Sequence, residues 1–329
     1  MAGALEDWLR PTPAGLWCEP GGFHIDPRRA VPRALVTHGH ADHARPGHGA
    51  VLATPETLAI MALRYPRDRP ARQPLRYGET VRSGDVSVRL APAGHVLGSA
   101  QAVLEYRGRR VTVSGDYKRA PDPTCAAFEP VPADVFITEA TFGLPVFRLP
   151  DDMAETARLL RSVETFPDRC HVVGAYSLGK CQRMLGLLRR AGYDRPVWLH
   201  PALDEMTTLY RDFGVAFGET RLLGDAGSLA GEIVLQPPGP EQRTARFAEP
   251  VRAVASGWMQ IRAHARRRGV ELPLAISDHA DWTGLTDTIA ETGASEIRVT
   301  HGSPDALVRW AQARSLDARP LEAPAGHGG

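Results

Sequence analysis

The spacing of apolar residues divides the chain into two kinds of segment. Up to about Leu144, short apolar or alternating runs predict strands in "GGFHID", "RALVTH", "VSVRLAPAGH" and "FITEATFG". The run "AVLEYRGRRVTVSGD" predicts a hairpin that turns at Arg107 and Gly108. One helix, "PETLAIMALRY", lies between these strands. The first part of the chain is therefore expected to be rich in strands.

From about Pro150 the pattern changes to helices that alternate with short strands. We expect helices in "DDMAETARLLRSVETF", "GKCQRMLGLLRRAG" and "PALDEMTTLYRDFG", and strands in "CHVVGA" and "PVWLH". Such alternation indicates βαβ units and a largely parallel sheet. The stretch "EIVLQPPGPEQRTARFAEP" is punctuated by proline and glycine and predicts a loop excursion. A helix, the strand "EIRVTH" and a helix from about Ser303 follow "LPLAISDHADW".

Candidate metal ligands occur where predicted strands end. The stretch "RALVTHGHADHARPG" holds His38, His40, Asp42 and His43 within six residues. Alternate residues can point the same way, so His38 and His40 can share one ion, while Asp42 and His43 can face a second position. Three more candidates end strand-like runs: His95, Asp116 and His301. A single histidine of this kind is usually a buried structural residue, but the dense cluster favours a metal site for zinc, manganese or iron.

Composition limits the classes of protein that remain. Of the 329 residues 43% are hydrophobic and 23% are charged, which is typical of a globular protein. The net charge of +1 excludes a globally basic protein, so a nucleic-acid surface would have to be local. We find no apolar run long enough for a membrane span and no secretory signal pattern. Four widely separated cysteines favour reduced thiols, and together these features predict a cytoplasmic protein without membrane contact.

The stretch "GAYSLGKC" nearly matches the phosphate-binding loop of nucleotide hydrolases. Cys181 stands where that loop has serine or threonine, and a thiol is a poor ligand for Mg²⁺. We therefore favour another hypothesis, that Ser177, Gly179 and Lys180 hold a DNA phosphate at a helix N-terminus. Lys180 is one of only two lysines among 39 basic residues, which draws attention to it. An exposed lysine without a ligand is the alternative.

The stretch "HARRRG" supplies two further candidate phosphate contacts, Arg266 and Arg267. Runs of charge are usually solvated faces, and the strong preference of this chain for arginine over lysine weakens the signal. Trp258 could stack on a base, although a core position is the simpler interpretation.

Several motifs together resemble the metallo-β-lactamase superfamily. "THGHADH" resembles its H-x-H-x-D-H signature, and "FHIDP", "GHVLGSA" and "SGDYKR" are similar to its remaining motifs in the expected order. "ITEATFG", "SDHAD" and "VTHG" resemble three further motifs of the β-CASP nuclease branch. "WLRPTPAGLWCEPGGFHIDP", "YSLGKCQR" and "ASGWMQIR" extend the similarity to the bacterial ligase-associated DNA exonucleases over nearly the whole chain.

The resemblance implies a fold and a division into domains. The fold would be α/β, a metallo-β-lactamase αββα sandwich with an inserted β-CASP α/β cap domain. Motifs lie at both ends of the chain, so we predict a sandwich domain in residues 1–148 and 273–329 and a cap in residues 149–272.

The resemblance also implies a site with two divalent metal ions, Zn²⁺ or Mn²⁺. One ion would be held by His38, His40 and His95, the other by Asp42, His43 and His301, with Asp116 between them. Asp26 would support the metal loop without binding an ion. His279 would protonate the leaving oxygen or hold the phosphate, and Glu139 would orient its imidazole. We count Asp42, Asp116, His279 and Glu139 as the catalytic candidates.

The resemblance further implies the activity of a metal-dependent phosphodiesterase, a DNA exonuclease in repair in which hydroxide held by two metals attacks the scissile phosphate. It also implies that the substrate is DNA and that an ATP-dependent DNA ligase and a helicase are partners. An RNA-processing nuclease of the same branch, similar to those of mRNA 3′-end processing, is the main alternative. A lactonase or thioesterase and a nucleic-acid binder without catalysis are further alternatives; the extra motifs argue against the first and the full ligand set against the second.

Overall fold

In the computed structural model, residues 8–224, 228–239, 247 and 249–321 are described. They fall into two compact units, one drawn from Met1–Pro121, Cys125–Arg148 and His279–Gly329 and the other from Asp122–Thr124 and Leu149–Asp278. Within this described part of the chain, no helix has the length and apolar character that crossing a bilayer requires.

The first unit begins with a six-stranded mixed sheet. Its strands, in spatial order, are β1 (Leu9–Thr12), β2 (Gly15–Cys18), β3 (Phe23–Ile25), β4 (Arg33–Leu35), β5 (Ala50–Ala53) and β6 (Ala71–Pro74). The first two pairings are antiparallel and the other three are parallel. Helix α1 (Pro55–Arg64) follows β5, capped at its N-terminus by the Thr54 hydroxyl.

A seven-stranded mixed sheet completes the first unit. Its strands are β7 (Thr80–Ser83), β8 (Val86–Pro92), β9 (Ala100–Tyr106), β10 (Arg109–Val113), β11 (Val135–Thr138), β18 (Glu296–Val299) and β19 (Asp317–Pro320). The spatial order is β19-β18-β11-β10-β9-β8-β7, so strands from the two ends of the chain meet where β11 pairs with β18. The hairpin between β9 and β10 turns at Arg107 and Gly108, which both have positive φ.

Three apolar clusters show how the layers of the first unit pack. Alternate residues of both sheets form one core, in which Leu16 and Ile25 belong to the first sheet and Leu90 and Val111 to the second. The outer face of the second sheet packs on helices α6 (Trp282–Thr292) and α7 (Pro304–Gln312). The outer face of the first sheet packs on α1. The order of layers is thus helix, sheet, sheet, helix.

The second unit is built on a six-stranded, fully parallel sheet. Its strands are β12 (His171–Gly174), β13 (Val197–Leu199), β14 (Thr220–Leu222), β15 (Ile233–Gln236), β16 (Val251–Ala255) and β17 (Leu272–Leu274), in the order β14-β13-β15-β12-β16-β17. Its helices are α2 (Asp152–Thr165), α3 (Lys180–Arg190), α4 (Asp204–Asp212) and α5 (Arg262–Arg267). Alternation of helices and strands produces this parallel arrangement.

Two sequence-based expectations differ from the structure. The segment read as a loop excursion begins with β15, which lies inside the sheet between β13 and β12; residues 240–246 and 248 of that segment lie outside the described residues. The division near residue 272 lies after Asp278 instead, because β17 pairs with β16 and so belongs to the second unit. Another division between the compact units lies after Arg148, and the second unit also takes in Asp122–Thr124.

Candidate metal centre

The loop after β4 brings its histidines to one edge of the first unit. His38 is fully buried and His43 is 2% exposed. Asp26, at positive φ just beyond β3, holds this loop: it accepts hydrogen bonds from the Thr37 amide at 2.8 Å and the Thr37 hydroxyl at 2.6 Å. Its Oδ2 also lies 2.8 Å from Nδ1 of His43. The contact leaves Nε2 of His43 to face the centre of the site.

Asp116 lies where the imidazoles converge. Its Oδ2 is 3.5 Å from Nε2 of His38, 3.5 Å from Nε2 of His43 and 3.8 Å from Nε2 of His95. His40 joins from the same loop, with Nδ1 at 2.9 Å from Nε2 of His95. Asp116 follows β10, and His95 follows β8, so the second sheet supplies ligands to meet those of the first.

Two groups of ligand atoms share the Asp116 carboxylate. In one, His38, His40, His95 and Asp116 each offer an atom within 4.8 Å of the others; in the other, His43, Asp116 and His301 do so. His301 lies on the loop after β18. Its backbone has a positive φ, and the residue is exposed. Asp42 stands apart from both groups. Its side chain is 71% exposed, and Oδ2 lies 3.8 Å from Nε2 of His43.

A buried acid and a histidine form a third group beside Asp116. Glu139 is fully buried at the end of β11, and both of its oxygens lie 3.0 Å from Nδ1 of His279. Glu139 also accepts hydrogen bonds from the Tyr117 amide at 2.8 Å and from the Thr141 hydroxyl. The His279 ring packs on His95 with 4.6 Å between centroids. Glu139 is thereby fixed by its own neighbours while it fixes His279.

The charges of this cluster are strongly coupled. Burial lowers the pKa of the His38 imidazole well below its ordinary value, so this ring is neutral at pH 7. Burial acts in the same direction on His43, but the carboxylates of Asp116 and Asp26 outweigh it and bring the pKa of His43 to about 10. Burial would raise the pKa of the Asp116 carboxyl, but facing imidazoles, His43 first, hold it well below its ordinary value.

Comparison with known proteins shows the family to which the chain belongs. A probable DNA ligase of Opitutus terrae is 30% identical over 92% of this chain, which spans 30% of that relative's length. Ribonuclease TTHA0252 of Thermus thermophilus is 34% identical over 37% of this chain and 34% of its own length. The endoribonuclease ysh1 of Aspergillus fumigatus is 25% identical over 57% of this chain and 23% of its own length. The chain belongs to the β-CASP nuclease branch of the metallo-β-lactamase superfamily.

A comparison with solved structures concerns the fold alone. A protein of unknown function from Enterococcus faecalis V583 has a similar structure, with a TM-score of 0.59 over 82% of this chain and 75% of that one, at 14% identity. No family model matches the chain. The resemblance of the motifs to the metallo-β-lactamase superfamily is thus confirmed by its relatives, and the chain spans about a third or less of the length of the relatives named above.

The stretch "GAYSLGKC" does not form the phosphate cradle that we expected. Lys180 is 3% exposed, its Nζ donates to the Ile276 carbonyl at 2.8 Å, and it lies 2.9 Å from the Asp278 carboxylate. The Gly179 amide donates to Gln182 Oε1 at 2.9 Å, so the start of α3 is closed by its own side chain. Ser177 offers its carbonyl to Nε2 of Gln182. These groups serve the structure of the second unit, and the hypothesis of a phosphate contact at Lys180 is wrong for that reason.

The other proposed contacts lie on the surface of the second unit. Arg266 and Arg267 are exposed residues at the end of α5. Trp258 is 40% exposed and stacks on His264 with 5.9 Å between centroids, so it is not a core residue. Thr37 and Thr141 also belong to the site, because their hydroxyl groups donate hydrogen bonds to Asp26 and Glu139. Their only signal in the sequence is that each lies next to a ligand motif.

Proposed function

We propose that the protein is a metal-dependent DNA exonuclease that acts in repair. The observation that carries the proposal is that two groups of metal-ligating side chains share one buried carboxylate, Asp116, with the His279–Glu139 pair beside it. In this proposal the first unit is the αββα metallo-β-lactamase sandwich and the second is the β-CASP cap inserted into it.

The residues at the site fit divalent metal ions. Nε2 of His38 and Nε2 of His43 are buried with no hydrogen-bond partner among the described residues, and each faces Asp116. A buried nitrogen of this kind costs free energy unless something binds it. Imidazoles together with the carboxylates of Asp116 and Asp42 suit Zn²⁺ or Mn²⁺.

We assign one ion to His38, His40 and His95 and the other to His43, His301 and Asp42, with Asp116 shared. Asp42 is included because its carboxylate is adjacent to Nε2 of His43. When bound, such ions neutralise the charge of a phosphodiester and make a water molecule more acidic, to a pKa of about 7.

The residues around the ions would position the substrate and move its proton. Glu139 fixes Nδ1 of His279, which sets the orientation and the tautomer of the ring. We assign to His279 the proton that the leaving oxygen takes up, a role that typically contributes 10²–10⁴-fold to the rate. Asp26 would hold Nδ1 of His43 and so keep that ring aimed at the site.

The choice of DNA rests on a relative that is similar to this chain over 92% of its length. The probable DNA ligase of Opitutus terrae carries a segment similar to 92% of this chain within one longer polypeptide. Physical linkage of this kind supports a nuclease that works with an ATP-dependent ligase, and we propose the same cytoplasmic partnership, with a helicase, here. An RNA-processing activity is the second candidate, since two relatives are named as a ribonuclease and an endoribonuclease.

The test compares both polymers on the same enzyme. Metal-stripped protein is resupplied with Mn²⁺ or Zn²⁺ and incubated with DNA and RNA strands of one sequence, each labelled at one end, beside an Asp116→Ala control. We expect metal-dependent shortening of DNA that Asp116→Ala abolishes, and the label reveals which end is digested. Preferential cleavage of RNA would establish the second candidate, and cleavage of neither polymer would refute both.

A further inference from the structure

A pocket in the second unit carries an inference that concerns how the substrate is held. The pocket has a volume of about 420 Å³. Its lining comes from Tyr176, Pro238, Gly239, Arg252, Val254, Arg267, Arg268 and Val270. All of these residues belong to the second unit. Its size is that of a site for a small ligand or a few groups of a polymer.

The elements that build the pocket explain why three arginines meet there. Arg252 and Val254 are two residues apart on β16 and face the same way. Arg267 and Arg268 lie at the C-terminal end of α5, which leads through Gly269 to β17. A side chain at Gly269 would come within 3.4 Å of Nη2 of Arg252, so the guanidinium lies directly against this turn.

Among the residues that the structure describes, no acidic side chain lines the pocket. Glu271, close to the arginines in sequence, is held by Arg169 through contacts of 2.8 and 2.9 Å. Within the described residues, the side chains of Arg252, Arg267 and Arg268 have no carboxylate partner. The three guanidinium groups therefore form a concentration of positive charge that nothing in the described chain neutralises.

A second, larger pocket contains arginines that form structural ion pairs. It lies at the β9–β10 hairpin of the first unit and is also lined by arginines. There Arg109 pairs with Glu296, and Arg110 pairs with Glu105 at 2.7 Å. The abundance of arginine in this chain is thus compatible with structural ion pairs, and the cluster at Arg252 differs because it lacks them.

Tyr176 adds an aromatic surface to the positive charge. It follows β12, and its carbonyl accepts a hydrogen bond from the Cys181 amide at 3.0 Å, which anchors the turn that carries it. Its side chain is nevertheless 56% exposed, and it lines the pocket rather than the core. An exposed aromatic ring beside guanidinium groups is the arrangement on which unpaired bases stack while their phosphates are neutralised.

We propose that this pocket binds a single strand of DNA, with phosphates against Arg252, Arg267 and Arg268 and an unpaired base on Tyr176. The inference rests on the proposed function and deepens it, because it names the form of DNA that the second unit prefers. A base can stack on Tyr176 only when it is released from a duplex, so the pocket discriminates between single and double strands.

The experiment measures binding without cleavage. Fluorescence anisotropy follows the full-length protein in EDTA with a labelled single strand of twenty thymidines and with a labelled duplex of equal length. The pocket variant carries Arg252→Gln, Arg267→Gln and Arg268→Gln. The control variant carries Arg161→Gln, Arg190→Gln and Arg309→Gln, three exposed arginines outside the pocket. Circular dichroism checks that each variant is folded.

We expect the pocket variant to bind the single strand roughly 10- to 100-fold more weakly than the wild type and the control variant to bind it as the wild type does. The slope of log K against log salt should fall by about 2, since each neutralised phosphate of a single strand contributes about 0.7. Tyr176→Leu should weaken binding of the single strand roughly 5- to 100-fold and leave the duplex nearly unaffected. Three results would overturn the proposal. The pocket and control variants could lose the same affinity, the wild type could bind the duplex as tightly as the single strand, or the wild type could bind neither.

Cleavage of the same strand with Mn²⁺ separates this proposal from the proposed function. If the wild type cleaves DNA and the pocket variants bind it normally, the proposed DNA site in the pocket is refuted and the nuclease activity is supported. If the wild type cleaves nothing and the pocket variants bind weakly, the DNA site is supported and the nuclease activity is refuted. Tighter binding of a uridine strand than of the thymidine strand would overturn the assignment to DNA.

Discussion

Asp116 brings one carboxylate oxygen within 3.8 Å of three imidazoles, and the charge on those imidazoles decides how the site takes up metal. The pKa of His43 is raised to about 10, so the metal-free protein carries a proton on this ring at pH 7. An imidazole must lose this proton before its nitrogen can bind a metal ion. Metal uptake is therefore coupled to the loss of that proton.

The first prediction is that Mn²⁺ binding at pH 7 releases close to one proton, and that metal affinity rises with pH up to about pH 10. Isothermal titration in two buffers with different ionisation enthalpies measures the release. Asp26→Asn removes a carboxylate that raises the pKa of His43 and should reduce the release. Heats that are identical in both buffers would contradict the coupling.

The second prediction concerns Glu139. Glu139→Gln keeps the shape of the side chain but removes the charge that faces Nδ1 of His279. We expect cleavage to fall about 10- to 100-fold while the bound metal stays unchanged, as for other residues that orient an active side chain. Metal analysis beside single-turnover rates tests this, with the exposed Glu291→Gln as control. A loss of metal in proportion to the loss of rate would show that Glu139 serves the ions instead.

At the scale of residues, the sequence indicates which candidate ligands lie close together better than it indicates which side chains contact each other in the fold. His38, His40 and His43 could be singled out because they lie in one short stretch. The ion pair between Lys180 and Asp278 could not be predicted, because Asp278 lies far along the chain and the stretch "GAYSLGKC" gives no indication of it. A motif indicates a local backbone shape, whereas the side chains that meet it depend on the tertiary fold.

At the scale of elements, helix α3 is anchored by a buried charge network. Arg183 is 1% exposed and lies 2.6 Å from Asp122, 3.1 Å from Asp152 and 3.0 Å from Asp278. The three carboxylates come from separate segments of the second unit. One guanidinium thus offsets part of the negative charge of all three carboxylates, and Asp278 is also paired with Lys180.

The third prediction is that Arg183→Leu destabilises the protein by about 3–5 kcal/mol, because it removes the cation that faces the buried Asp122 carboxylate. Urea denaturation followed by circular dichroism measures the free energy of unfolding. Arg190→Leu, on the exposed end of the same helix, should change it by less than about 0.5 kcal/mol. Similar effects of the two substitutions would mean that the network contributes little.

The elements with strong local signals were the predictable ones. The β9–β10 hairpin was recognised from Arg107 and Gly108, and α1 from its apolar spacing. In the sequence, the prolines that directly follow β15 make its segment resemble a loop. Its four buried residues are stabilised by β12 and β13, which lie far away in sequence. Local patterns cannot show such pairings.

At the scale of the whole molecule, the candidate ligands are confined to the first unit. The fourth prediction is that Mn²⁺ slows amide hydrogen exchange in that unit, above all in the loops after β4, β8 and β10, and leaves peptides from residues 149–278 nearly unchanged. At 100 times the dissociation constant, the stabilisation is about 2.7 kcal/mol. Mass spectrometry resolves the peptides.

Asp116→Ala supplies the control for this prediction and should abolish the protection. Equal protection of both units would show that metal binding stabilises the chain as one cooperative body. Motifs at both ends of the sequence predict a discontinuous domain with an inserted one. The boundary after Asp278 depends on the pairing of β16 with β17, which no motif reports.

The pairing of β11 with β18 has a consequence for the synthesis of the chain. Strand β11 emerges from the ribosome roughly 160 residues before its parallel neighbour, about 8–30 s earlier at ordinary rates of translation. During that time its apolar residues Val135, Phe136 and Ile137 present an open edge on which a strand of another nascent chain can add. Slow translation through residues 149–278 prolongs this exposure, so the yield of folded protein depends on how quickly the ribosome reaches Glu296 or on a chaperone that covers the edge meanwhile.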